Sequence, residues 1–147
     1  MTTSKTNIST AVDRLIELIS QGRGSEAATL YAPYALLDAT VPGWRFQKRG
    51  GQSIAEVWSH WFDEPGRFDE LDRMPVPDGE VIRYVEAGQE NGTTFAVHHC
   101  HILTLDEATG LIARHRVWCG GRWYPARLAE MAEAQRADDE KLRGDAP

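Results

Sequence analysis

Apolar and polar residues follow two different periods along this chain. Up to about residue 62 the apolar positions recur at helical spacing, and from about residue 80 they alternate with period two. Ile8, Val12, Leu15, Ile16 and Ile19 form one stripe, which predicts a helix from Ile8 to Gln21. Thr10 to Asp13 has capping-box form, and Gly22 and Gly24 end the helix. Ser25 heads a short second helix from Glu26 to Tyr31, which Pro33 stops. Ala35 to Val41 reads as a short apolar strand interrupted by Asp38. Pro42-Gly43 marks a turn, and Trp44 to Gly51 reads as a loop or ragged strand. Ser53 is placed to cap a third helix through Phe62, with Ile54, Val57, Trp58, Trp61 and Phe62 on one face. Phe68 to Val76 is a weak strand. Glu80 to Gln89, Thr93 to Leu105 and Leu111 to Gly120 are clearer ones. A charged helix with a thin apolar face follows from Ala126 to Leu142, and the last few residues are expected to be mobile.

The turn residues set which side chains face each other. Asn91-Gly92 is a strong two-residue hairpin signal, and it pairs Glu90 with Thr93, Glu86 with Val97, Tyr84 with His99 and Ile82 with His101. If the second turn pairs Leu105 with Leu111, His101 lies opposite His115 and His99 opposite Val117. One face then carries Ile82, Tyr84, Glu86, Phe95, Val97, His99, His101, Leu103, Leu105, Leu111, Ala113, His115 and Val117. The other, with Arg83, Val85, His98, Cys100, Ile102, Arg114, Arg116 and Trp118, is mixed and suits solvent or a subunit interface. A slip of one residue at the second turn would turn His115 to the other face, whereas His99 and His101 stay together whatever the register.

Composition narrows the function classes. A chain of 147 residues fits one domain, spanning 1–147 with a core over about 8–124. The net charge is −6 and the pI about 5.3, with basic residues scattered, so nucleic acid is not an expected partner. No apolar run reaches membrane-span length, and residues 1–7 are polar with no secretion signal. A cytoplasmic location is the expectation. Cys100 and Cys119 have no metal-type spacing, and they fall on opposite sheet faces, which disfavours a disulfide between them. Phosphate loops, nucleophile elbows and dinucleotide fingerprints are absent.

The candidate chemistry centres on the imidazoles. Histidine titrates nearest neutrality, and burial disfavours its charged form, so His99 and His101 are candidate acid/base groups that start neutral. The alternative is a pair of core histidines satisfied by Tyr84 or by backbone. His99, His101 and His115 also have the residue types of a three-histidine zinc site, a third reading that the expected site, with no metal, sets aside. Tyr84 is a candidate donor to a substrate oxygen or a residue orienting His99. Asp38 is a candidate base or histidine partner, and equally a loop cap. Glu86, close to a hairpin end, reads as a solvated charge that would become an acid only if buried. Trp44, Trp58, Phe95, Val97, His115 and Val117 are the expected substrate-binding residues, with core packing the competing reading for Trp58. Arg45, Lys48 and Arg49 form a small basic group.

The order of elements, and three loose motifs, resemble the nuclear transport factor 2-like superfamily, with the SnoaL-like proteins as the nearest subgroup. The motifs are Leu30-Tyr31-Ala32-Pro33 with Leu36-Leu37-Asp38-Ala39, Arg49-Gly50-Gly51-Gln52-Ser53-Ile54, and Gly110-Leu111-Ile112-Ala113-Arg114. The match covers about residues 8–124. The resemblance implies an α+β fold in which a cone-shaped, curved antiparallel sheet wraps around N-terminal helices. It also implies a pocket between them, and often a homodimer. Ketosteroid isomerases, polyketide cyclases, scytalone dehydratases, epoxide hydrolases and many non-enzymes share this fold, so fold alone does not assign function. Two departures stand out. The aspartate base of the isomerases falls near Val41 or Pro42, and the cyclase aspartate falls near Cys119. The expectation is a cone protein binding a small apolar metabolite such as a polyketide or terpenoid, with no organic cofactor, no nucleic acid and no membrane. Acid/base catalysis would come from His99, His101, Tyr84 and Asp38, with a non-catalytic binding or dimerisation module as the alternative.

Overall fold

The architecture comes from a computed structural model that describes residues 10–144. The expected helix start at Ile8 and the mobility expected of residues 145–147 lie outside them. Helix α1 (Thr10–Gln21) buries Ala11, Val12, Leu15, Leu18 and Ile19. The next segment, Gly24–Leu30, is a 3₁₀ helix, and Tyr31 already opens strand β1 (Tyr31–Val41). Proline has no N–H to give a ladder, and Pro33 lies where the pairing of β1 with its neighbour breaks register, between Tyr31 and Leu36. The expected ragged segment is a regular strand, β2 (Trp44–Arg49), folded back on β1 across Pro42-Gly43. Helix α2 (Gly51–Trp61) starts one turn earlier than expected. Gly50 is its cap residue, and Ser53 makes no capping bond.

Strands β3 (Arg67–Val76), β4 (Gly79–Glu90), β5 (Thr93–Leu105) and β6 (Ile112–Trp123) follow, and helix α3 (Pro125–Gly144) closes the described chain. The thin apolar face of α3 leaves it with no buried side chain. The six strands form one curved, unclosed sheet in the order β2-β1-β6-β5-β4-β3. The α+β expectation holds with one difference: β1 runs parallel to β6, so the sheet is mixed. Leu37, Ala39, Ile82, Tyr84, Leu103, Ile112 and Val117 face Val12, Leu15, Ile19, Ile54, Trp58 and Phe62 in one core.

The β4–β5 hairpin has the register its turn dictates. Asn91 and Gly92 take positive φ values of 50° and 81°, the pair of left-handed residues that a type I′ turn needs. Tyr84 pairs with His99, Ile82 with His101 and Glu86 with Val97. The β5–β6 register differs from expectation by two residues: His101 pairs with Val117, His99 with Cys119 and Leu103 with His115. One residue of the difference is a longer turn, with Leu105 opposite Ile112. The other is a bulge at Ala113, since Thr104 already pairs with Arg114. Side chains alternate with period two, so an even displacement leaves His115 on the face of His99 and His101. Ile112 takes the core position expected for Leu111 and Ala113. A second bulge follows Cys119, where Gly121 has φ +86°.

Candidate functional site

Helix α2 lays three aromatic side chains over the histidine face of the sheet. The Trp58 ring lies 5.3 Å from His115, while Trp61 and Phe62 lie 5.6 and 5.9 Å from His99. His101 and His115 are fully buried and His99 nearly so. Buried polar groups need partners, and these find them in one another. The Trp58 indole N–H donates to the Tyr31 hydroxyl oxygen at 2.8 Å, and that oxygen lies 2.8 Å from His115 Nδ1. His115 Nε2 lies 2.6 Å from His101 Nδ1. His101 Nε2 is 3.2 Å from both the Tyr84 hydroxyl and His99 Nδ1. Tyr84 Oη and His99 Nδ1 are 2.7 Å apart. The result is a continuous string of six side chains from α2 through β1, β6, β5 and β4 and back to β5.

Burial keeps this string neutral. It pushes His99 and His115 down to about 3, with neighbouring histidines adding to the fall, and holds His101 well below its ordinary value for the same reasons. Burial likewise raises Tyr31 and Tyr84, and Glu86 adds to the rise at Tyr84. Five of the six imidazole nitrogens are spent on one another and on the two tyrosines. Among the described residues, no group of three or more histidine, cysteine or acidic side chains has metal-holding geometry.

One end of the string, His99, lines open space. A cleft of about 320 Å³ is lined by Val41, Pro42, His60, Trp61, Phe62, Glu86, Phe95, Val97, His99, Cys119, Gly121 and Arg122. His99 is its only member of the six-residue string. Glu86 enters from β4, 6 % exposed, and burial pushes its carboxyl up to about 7 although Arg122 pulls the other way. Gly66 packs directly on the Glu86 side chain, where a β-carbon would collide with the carboxylate. Arg122 stands 4.3 Å above the centre of the Phe95 ring and pairs with Glu90 at 3.2 Å. Burial raises the Cys119 thiol. A second cleft of about 400 Å³, lined by Trp44, Phe46, Lys48, Ser53, Glu56, Val57, His60 and Trp61, shares His60 and Trp61 with the first.

The expected site residues therefore divide. Phe95, Val97 and His99 line the first cleft, and Trp44 lines the second. Tyr84, His101, His115, Val117 and Trp58 are sealed in the core, so the string backs the cleft and meets it through His99. Asp38 is not brought to the histidines. It alternates with the buried Leu37 and Ala39, and its carboxylate accepts from Arg45 Nε at 2.9 Å and from Gln47 at 3.4 Å. Those bonds, the Arg45 bond above all, hold it below the usual carboxylate range despite burial. Sequence reasoning passed over Glu86 as a hairpin-end charge, and it did not place Arg122 or Cys119 in a cleft. The signal available was the pairing of Glu86 with Val97 on the apolar face.

Comparisons with known proteins agree with this geometry at the level of fold. No family model matches the chain, and no curated protein does. Solved structures do. A nuclear transport factor 2-like protein of unknown function from Mesorhizobium loti aligns over 79 % of this chain and 93 % of its own, with a TM-score of 0.61 and 18 % identity. A phenazine biosynthesis-related protein from Pseudomonas aeruginosa aligns over 78 % and 82 %, with a TM-score of 0.59 and 14 % identity. A Bacillus subtilis protein provisionally described as an isomerase aligns over 78 % and 87 %, with a TM-score of 0.62 and 12 % identity. The curved sheet, the helices inside it and these alignments together establish that this chain has the nuclear transport factor 2-like fold.

Proposed function

We propose that this chain binds a small, largely apolar metabolite in the cleft between α2 and the sheet and catalyses a proton transfer on it without an organic cofactor. The observation that carries this reading is the meeting of Glu86 and His99 on the walls of one cleft that is otherwise mostly apolar. Such a cleft with a few convergent polar groups suits orientation of a ligand and exclusion of water. A carboxyl held at about 7 is divided between acid and base at neutral pH, the condition under which general acid/base catalysis is most effective. Glu86 is the proton carrier, and His99 binds the substrate atom on which charge develops.

The resemblance supports the assignment in an indirect way. Val41, Pro42 and Cys119, where the isomerase and cyclase aspartates would fall, all line this cleft. The carboxylate enters from β4 instead. Isomerisation, with a proton removed and returned by the same group, is the reaction type that one carboxyl and one neutral donor serve best. The test is deuterium incorporation into an enolisable bicyclic ketone such as 2-tetralone in heavy water, followed by proton NMR. Exchange catalysed by the wild type and reduced at least about a hundredfold in Glu86→Gln, within the range of general acid/base contributions, supports the reading. Exchange equal in both proteins, or none in either, contradicts it. A non-catalytic binding module is the second reading. It is favoured by the sealing of two of the three histidines from the cleft.

A further inference from the structure

The geometry points to a hydrogen-bond string with one direction: Trp58, Tyr31, His115, His101 and Tyr84 lock His99 as an Nε2–H donor that faces the cleft and selects a carbonyl or enolate oxygen. This builds on the cleft proposed above and deepens it. The argument is a count of protons. The indole N–H can only donate, so the Tyr31 oxygen accepts from it at 2.8 Å. The Tyr31 hydroxyl proton then has one acceptor within reach, His115 Nδ1 at 2.8 Å. A neutral imidazole carries one donor and one acceptor, so His115 must hold its proton on Nε2 and give it to His101 Nδ1 at 2.6 Å. His101 is thereby also protonated on Nε2, which points to the Tyr84 hydroxyl and to His99 Nδ1, both at 3.2 Å. The Tyr84 hydroxyl proton has no site on His101 left to take it and goes to His99 Nδ1 at 2.7 Å. The proton of His99 is left on Nε2, which has no protein partner among the described residues, on the side chain that lines the cleft.

Reversing every tautomer breaks this accounting at one point. Tyr31 would accept from both Trp58 and His115, and its own hydroxyl proton would be buried without an acceptor. That orphan disfavours the reversed string by roughly tenfold to a hundredfold. Consequently His99 is not a base in the resting protein. It is a neutral donor aimed at the position where a substrate oxygen gains negative charge as Glu86 removes a neighbouring proton: the C–H electron pair moves into the C–C bond, the carbonyl π pair moves to oxygen, and no other reactant is needed. Tyr31 and Trp58, which do not line the cleft, are positioning residues.

Long-range nitrogen-15 correlation NMR reads the tautomers directly. His99, His101 and His115 should each show a pyrrole-type Nε2 and a pyridine-type Nδ1. A pyridine-type Nε2 on His99 overturns the inference, whatever becomes of the catalytic test of Glu86. Tyr31→Phe removes the group that fixes the direction, so His99 should move from roughly nine-tenths or more Nε2–H toward an even mixture of tautomers. An unchanged His99 in that variant overturns the role of Tyr31. Should Tyr31→Phe fail to fold, Trp58→Phe serves as the second variant, and it should keep the Nε2–H form because the Tyr31 hydroxyl still donates to His115. Loss of that form in Trp58→Phe overturns the accounting. Titration with 1-indanone should shift the His99 N–H resonance, while the matched hydrocarbon indane should not. An equal response to the two probes, or to neither, overturns the carbonyl assignment.

Discussion

Replacing Glu86 by glutamine should stabilise the protein, and by an amount that depends on pH. The side chain is 6 % exposed, and burial raises its carboxyl from the ordinary 4.5 to about 7. The folded-state value is the higher one, so the stability this group contributes is fully present below pH 4.5 and is lost as pH rises through 7. Forcing the buried carboxyl to ionise above that range costs roughly 3 kcal/mol. Glutamine has nearly the same shape and cannot ionise. The variant should therefore gain roughly 3 kcal/mol on the wild type at pH 8 relative to their difference at pH 4. Any penalty for an amide donor without a partner is the same at every pH and cancels in that comparison. Urea denaturation of both proteins at pH 4, 6, 7 and 8 measures it, and the midpoint difference should grow by roughly 1–3 M across the series. A midpoint difference independent of pH would refute the reasoning, since it would mean that Glu86 ionises as a solvated carboxylate does.

The histidines act in the opposite sense. His99 and His115 are held at about 3, below their ordinary 6.5, so their contribution is present above pH 6.5 and lost as pH falls toward 3. At pH 5 each should cost about 2 kcal/mol; in the Glu86→Gln background, denaturation midpoints should fall steeply below pH 6.5, and a flat profile down to pH 4 would contradict neutral buried imidazoles. Gly66→Ala should displace the Glu86 carboxylate that lies on it, lowering cleft activity in the ketone exchange assay about as much as Glu86→Gln does while the hairpin stays folded by circular dichroism. Asp38→Asn should weaken the pairing with Arg45 and cost on the order of 1 kcal/mol in thermal or urea unfolding, yet leave exchange activity within about twofold of wild type, because Asp38 does not join the histidine string. A homodimer in solution, which the resemblance often implies, is the expected state, and light scattering after gel filtration checks it.

How much of this was legible before folding depends on the range of the determining interactions. The β4–β5 register follows from Asn91-Gly92 because a two-residue turn is local, and it placed Tyr84 against His99 correctly. The β5–β6 register was displaced by two because turn length and the Ala113 bulge each add one residue. His115 kept its face only because the two errors sum to an even number. The parallel β1–β6 pairing is between segments some 80 residues apart in sequence, and no local pattern announces it. Without that pairing, Tyr31 could not be brought to His115, and the far end of the string was invisible. Asp38 could be read equally as a base, a histidine partner or a loop cap, because its partner Arg45 lies across a hairpin whose second arm reads as a loop or ragged strand. Glu86 was misjudged because nearness to a turn suggests solvent, whereas Gly66, Phe95 and Val97 enclose it.

Direct titration of the Glu86 carboxyl by carbon-13 NMR, on protein labelled at glutamate Cδ and assigned with Glu86→Gln, tests the central claim most closely. The account predicts a midpoint near 7, shifted when 1-indanone occupies the cleft. A midpoint near the ordinary 4.5 that the ketone leaves unmoved would contradict it, and the cleft would then lack its proton carrier.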